Sequence, residues 1–160
     1  MLNAFSSPPI YSKYVKLPHT DDPIPPAICN NPKFYPFFEG AIGAIDGTHI
    51  ACTPSADERD VCRNHKGFTS QNCLVCCDFE MNFTYVLSGW EGSMADATLY
   101  HDAWMSDFAI PAGKYYLADA GFLSCLQLLV PYHGQRYHLA KWGRAQTQCV
   151  FLFFSFLFVD

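Results

Sequence analysis

At 160 residues, half of them hydrophobic and 16 % aromatic, the chain has apolar surface enough for one packed core and is excluded from the disordered class. Its formal net charge of −5 excludes a protein that coats nucleic acid through bulk charge, because that binding rests on Lys and Arg neutralising phosphates. A local basic patch remains open.

Residues 1–36 are rich in Pro, Ser and aromatics, as in "SSPPIYSKYVKLPHTDDPIPPAICNNPKFYP". Pro at this density forbids long helices, so the segment is expected to be a surface-hugging lead-in arm with one short helix near its start. Residues 38–53 read as a strand: "GAIGAI" is small and apolar, and "THIACT" alternates with β-branched residues. Residues 54–69 form a polar loop holding Arg59, Arg63 and Lys66. "QNCLVCCDFEMNFTYVLSGW" holds two strand-like runs around "FEMN" and predicts a hairpin, with Tyr85 and Trp90 in the core. Residues 93–108 place Ala95, Leu99 and Ala103 at helical spacing, with Ser93 as the expected N-cap and Asp96 three residues on, as in a capping box. After Pro111 and Gly113, "KYYLAD" reads as a short strand ending on an acid, and "GFLSCLQLLVPYHG" as a turn and short helix closed by Pro131. The order strand, hairpin, helix, strand, helix suits an α/β architecture with a mixed sheet.

Eight Cys invite a disulfide-scaffold reading, but no charged start followed by an apolar run is visible, and Cys73, Cys76 and Cys77 sit inside a strand-like run. They read as reduced core thiols of an intracellular protein. Cys73-x-x-Cys76 has the spacing of half a zinc site, and no second half follows at a matching distance. Residues 149–160, "CVFLFFSFLFVD", are of another kind. The run is short of the roughly 18–20 residues that a membrane span needs. It reads as a chance-frame translation at a gene-model end, with a buried strand as the alternative.

Two acids stand out. Asp46 in "AIDGT" and Asp119 in "LADAGF" each end or interrupt a short apolar strand, with Gly close behind. On neighbouring strands, their carboxylates would meet at one sheet edge and repel unless a cation joined them. Mg²⁺ suits such a place, since it takes one or two carboxylates together with waters and phosphates. Taken singly, either Asp also fits a plain turn. His49, three residues beyond Asp46 on a strand, is expected on the opposite face and in a structural role.

Four runs go further: "FYPFFEGAIGAIDGTHI", "RNHKGFTSQNCLVCCDFEMNFTYVLSGWEGSMADATLYHDAW", "GKYYLADAGF" and "LLVPYHGQRYHLAKWGR". In their order and spacing the chain resembles the nuclease domain of PIF/Harbinger-type transposases, the DDE superfamily endonucleases, and especially their fungal members. The resemblance covers roughly residues 34–144. It implies an RNase H-like fold over residues 37–148, incomplete at its C-terminus. It implies catalytic and metal-holding roles for Asp46 and Asp119, a further metal ligand in Asp96, and Mg²⁺ or Mn²⁺ as cofactor. DNA is the implied substrate, with Arg63 and Lys66 of "RNHKG" as candidate phosphate contacts, the nucleus the implied compartment, and no membrane involved. His133, Arg136 and His138 fall in a run that would either line DNA or lie in a surface loop.

The sequence departs from the pattern at about Gln146. The family's third acid, a Glu in a run like Asn-hydrophobic-Ile-Glu-Arg, has no counterpart here, nor is a helical DNA-binding part found ahead of the nuclease. A separate partner would then supply DNA recognition. These departures predict a transposase-type endonuclease domain that is inactive as written, or a domesticated binding module on the same scaffold.

Overall fold

The computed structural model describes Lys13 and residues 16–132. The start of the Pro-rich arm, the run with His133, Arg136 and His138, and the tail 149–160 lie outside these residues. A one-turn helix α1 (Pro26–Cys29), with Pro at its start, precedes the sheet. Then come β1 (Ala41–Ala51), β2 (Ser70–Cys77), β3 (Phe83–Glu91), α2 (Asp96–Ser106), β4 (Tyr115–Ala118) and β5 (Leu128–Leu129).

The strands form one mixed sheet in the order β3-β2-β1-β4-β5, consistent with a DDE or RNase H-like domain. β1 pairs antiparallel with β2 and parallel with β4, and β2 pairs antiparallel with β3. The predicted hairpin is present, and its turn is tied by Asp78, whose Oδ1 accepts from the amides of Glu80 and Asn82. Between Asn72 and Leu74 of β2 the ladder with β3 shifts register, and Gly89 on β3 takes the extra residue's turn at φ +101, a conformation few side chains tolerate.

Successive residues of a strand face opposite sides of a sheet, and the two packed clusters follow this alternation. On one face Ile45, Leu74, Cys76 and Tyr116 pack under α2, which turns Leu99 and Ala103, four residues apart, towards them. Phe108 completes this cluster, its ring 4.6 Å from that of Tyr85 and 5.6 Å from that of Tyr116. On the other face lie Ala41, Ala44, Cys77 and Leu117, with Phe38, Phe79 and Tyr115 against them.

Three expectations change. The helix begins at Asp96, with Ala95 rather than Ser93 at its N-cap and no side-chain cap. Residues 92–94 turn instead: the Met94 amide bonds back to the Glu91 carbonyl and the Ser93 amide to Val61, while the Met94 carbonyl accepts from the buried Asn72 side chain. The short helix expected before Pro131 is instead the two-residue strand β5. Leu123 and Leu126 are 74 % and 91 % exposed, so no apolar helix face exists there to bury; Leu128 enters the core beside Tyr116 of β4. The strand expected over 38–53 is narrower, since residues 38–40 turn into it. Cys73, Cys76 and Cys77 are buried free thiols, as expected. Cys73 and Cys76, three apart on β2, point to opposite faces, so they cannot share one zinc ion.

Candidate functional site

β4 is four residues long and pairs only with the first half of β1. The burial of β1 follows: Ala41–Ile45 are buried, and from Asp46 onward the strand opens. The acid therefore sits where the central strand loses one neighbour. Ile45 pairs with Ala118, so the next residues on the two strands, Asp46 and Asp119, come side by side on the face opposite α2. Asp119 is exposed, and its Oδ1 accepts from the Gly121 amide at 2.7 Å in a turn that closes the strand end.

This placement loads Asp46. Burial first, then the negative charge of Asp119, push its carboxyl from 3.8 up to about 7; the Gly47 amide opposes the shift, and Asp96 adds a smaller rise. A carboxyl so raised at the end of strands is a place where a cation would relieve an electrostatic cost. The donors are hard carboxylate oxygens, the kind that Mg²⁺ and Mn²⁺ prefer. The Asp46 and Asp119 pair thus fits a divalent ion.

Asp96 approaches from the other side. It stands in the first turn of α2, where negative charge is favoured by the helix dipole. Its carboxyl lies against Gly47, where a Cβ would overlap it. Gly47 and Asp46 are adjacent on β1, so Gly47 faces α2 and Asp46 faces away. Asp96 is thereby less close to Asp46 than Asp119 is. Among the described residues no group of three His, Cys, Asp or Glu side chains is near enough together to hold a metal ion.

Arg63 and Lys66 lie exposed on the loop between β1 and β2, beyond the open half of β1. Arg63 Nη1 donates to the Gly67 carbonyl at 2.9 Å, and Arg63 bridges to Thr69, so the loop is ordered. Its organiser is Asn64, 4 % exposed, which sequence reasoning missed. Asn64 Oδ1 accepts from the Lys66 and Phe68 amides, and its Nδ2 donates to Ser70 Oγ. His49 lies, as expected, on the face opposite Asp46; its Nδ1 is 3.1 Å from Ser70 Oγ and its ring packs edge-on against His65. Asn64→Ala is expected to cost about 1–2 kcal/mol, since it strips partners from two amides and a buried hydroxyl; faster amide exchange at Lys66 and Phe68 would report it.

The sequence profile of the family described as DDE superfamily endonuclease matches residues 45–149, about two thirds of the chain, a span that holds Asp46, Asp96 and Asp119. The chain belongs to this family. Its relatives include "Putative nuclease HARBI1" of Rattus norvegicus, 37 % identical over 98 residues, which make up 59 % of this chain and 28 % of that protein. The proteins of the same name from Mus musculus and Homo sapiens are 35 % identical over 96 residues (58 % of this chain, 27 % of theirs) and 33 % identical over 98 (59 % and 28 %). The chain thus spans less than a third of the length of these curated relatives. No solved structure matches it. No helix among the described residues is long and apolar enough to cross a membrane.

Proposed function

We propose that the chain carries the metal-holding acids of a DNA endonuclease of the PIF/Harbinger type. Asp46 and Asp119 hold a divalent cation, Mg²⁺ or Mn²⁺. The observation that carries this reading is the side-by-side pair at the end of β4, with Asp46 pushed up to about 7. When bound, the cation polarises the phosphodiester and lowers the pKa of its water. Asp46, once charged, and Asp119 orient that cation, and Arg63 and Lys66 on the ordered loop meet the phosphates of duplex DNA. DNA as substrate implies work in the nucleus, with target choice made by a separate helical DNA-binding domain or protein.

Residues 120–160 contain no Glu. These 160 residues therefore bring two of the three acids in the family pattern, and we propose that alone they bind metal and DNA without cutting. Tight geometry is the reason, since a misplacement of about 1 Å can cost 10²-fold and a missing ligand more. Incubating the purified chain with Mg²⁺ or Mn²⁺ and plasmid DNA is expected to leave the DNA intact. Cleavage that disappears in Asp46→Asn would overturn the inactivity and keep the site. For the loop, Arg63→Ala with Lys66→Ala is expected to weaken DNA binding and flatten the plot of log K against log salt by about 2 in slope. An unchanged slope would move the phosphate contacts elsewhere.

A further inference from the structure

We infer that Phe68 stacks on an unpaired base of the bound DNA; the inference rests on the DNA reading above. The tip of the loop between β1 and β2 runs Arg63-Asn64-His65-Lys66-Gly67-Phe68, with two cations, a His and no acid. Phe68 is 43 % exposed, and its ring joins neither packed cluster of the sheet. A single exposed apolar residue is ordinary on a protein surface. The setting gives this one a role: the cations beside it attract a phosphate backbone, and a ring among them meets the bases which that backbone carries.

The loop holds that ring on a fixed mount. The Phe68 amide donates to Asn64 Oδ1 at 3.3 Å, and the Phe68 carbonyl accepts from the Asn64 amide at 2.9 Å. Gly67, at φ +89, makes the turn just before it. The base of the loop is held from two sides, by the Cys52 amide on the Thr69 carbonyl and the Ser70 amide on the Cys62 carbonyl. Gly92 lies so close that a Cβ there would overlap the carbonyl oxygens of Cys62 and Ser70. A side chain on such a mount has little freedom left to lose when a base stacks on it. The reach fits too. Thr69 lies beside Cys52, and Asp46 is six residues back along the chain, about 20 Å at the rise of a strand. That is less than one turn of duplex, about 34 Å, so the acids and the ring can engage one DNA molecule. Stacking needs an open base face and no particular base, so DNA with unpaired bases is the form that the ring favours.

The test uses the full 160-residue chain in EDTA and two fluorescein-labelled DNA duplexes, one intact and one with a short central bubble of unpaired thymines, with affinity read by anisotropy. The parent is expected to bind the bubble about tenfold more tightly than the intact duplex. In Phe68→Ala that preference should vanish while the slope of log K against log salt stays unchanged, because a lost ring contact releases no counterions. Phe68→Trp should keep the preference. Phe68→Leu, which keeps apolar bulk without the ring, should lose it with parent-like amide exchange at Lys66, and it serves as the test if Phe68→Ala fails to fold. A loss in Phe68→Leu that comes with fast exchange at Lys66 overturns the stacking role, since the ring then only holds the loop. A parent that binds both duplexes equally, or a Phe68→Ala chain that keeps the preference, also overturns the stacking role and leaves the DNA reading standing. A parent that binds neither duplex overturns the DNA reading, and this inference with it.

Discussion

Asp46→Asn is expected to stabilise the metal-free chain at pH 8 by about 1–2 kcal/mol and to leave it unchanged at pH 4. The sign follows from proton uptake. In the unfolded chain Asp46 loses its proton near 3.8, and in the folded chain it keeps it until about 7. Between those values the folded state binds more protons, so the Asp46 contribution to stability falls as pH rises from about 4 to about 7 and stays low above. The neutral amide removes the charge that burial and Asp119 penalise. Asp46 is only partly buried, and solvent screening keeps the gain well below the full value of the shift. Melts of the two chains at pH 4, 6 and 8 read the effect, with about 3–6 °C expected at pH 8. A stabilising substitution at an acid in the middle of the central strand is the mark of a residue retained for chemistry at a cost to the fold.

Gly47→Ala is expected to cost about 2–4 kcal/mol, although the strand itself would accept Ala. The added methyl would overlap the Asp96 carboxyl, which the Asn72 amide holds in place. To make room, Asp96 must leave that hydrogen bond, which strands a buried donor, and the helix start must shift. Asp96→Ala in the same chain removes the collision. Urea unfolding of both single variants and the double should then give a coupling of at least about 1 kcal/mol, with the double less destabilised than the sum. Additive costs would mean that Gly47 is needed for a reason other than Asp96.

Much of the sheet was legible because its signals are local. "THIACT" alternates, "FEMN" breaks two β-rich runs, and "KYYLAD" is closed by an acid. The pairing of Asp46 with Asp119 was legible too, through the shared habit of an acid at the end of an apolar run. Other features depend on what lies across space. Spacing cannot tell that Asp96 meets β1 through Gly47 on the face opposite Asp46, because the face follows from the ladder register. The helix start moved to Asp96 because residues 92–94 form a turn of their own, tied to Glu91 and Val61 and, through the Met94 carbonyl, to Asn72 twenty-two residues earlier. A signal for Asn72 did exist: Ser70, Asn72, Leu74 and Cys76 share one strand face, and a polar residue in phase with a core row asks for a partner. The apolar "FLSCLQLLV" run suggested a helix because leucines read alike whether they are buried or, as with Leu123 and Leu126, exposed.

The central claim, that Asp46 and Asp119 together hold a divalent cation, is tested most directly by titrating the chain with Mn²⁺ at pH 6, 7 and 8 beside Asp46→Asn and Asp119→Asn. Because Asp46 must give up a proton that it keeps until about 7, affinity should fall about tenfold per pH unit below that value and level off above it. Both variants should lose binding at pH 8. Mn²⁺ affinity that is flat from pH 6 to 8, or that survives in either variant, would contradict the account.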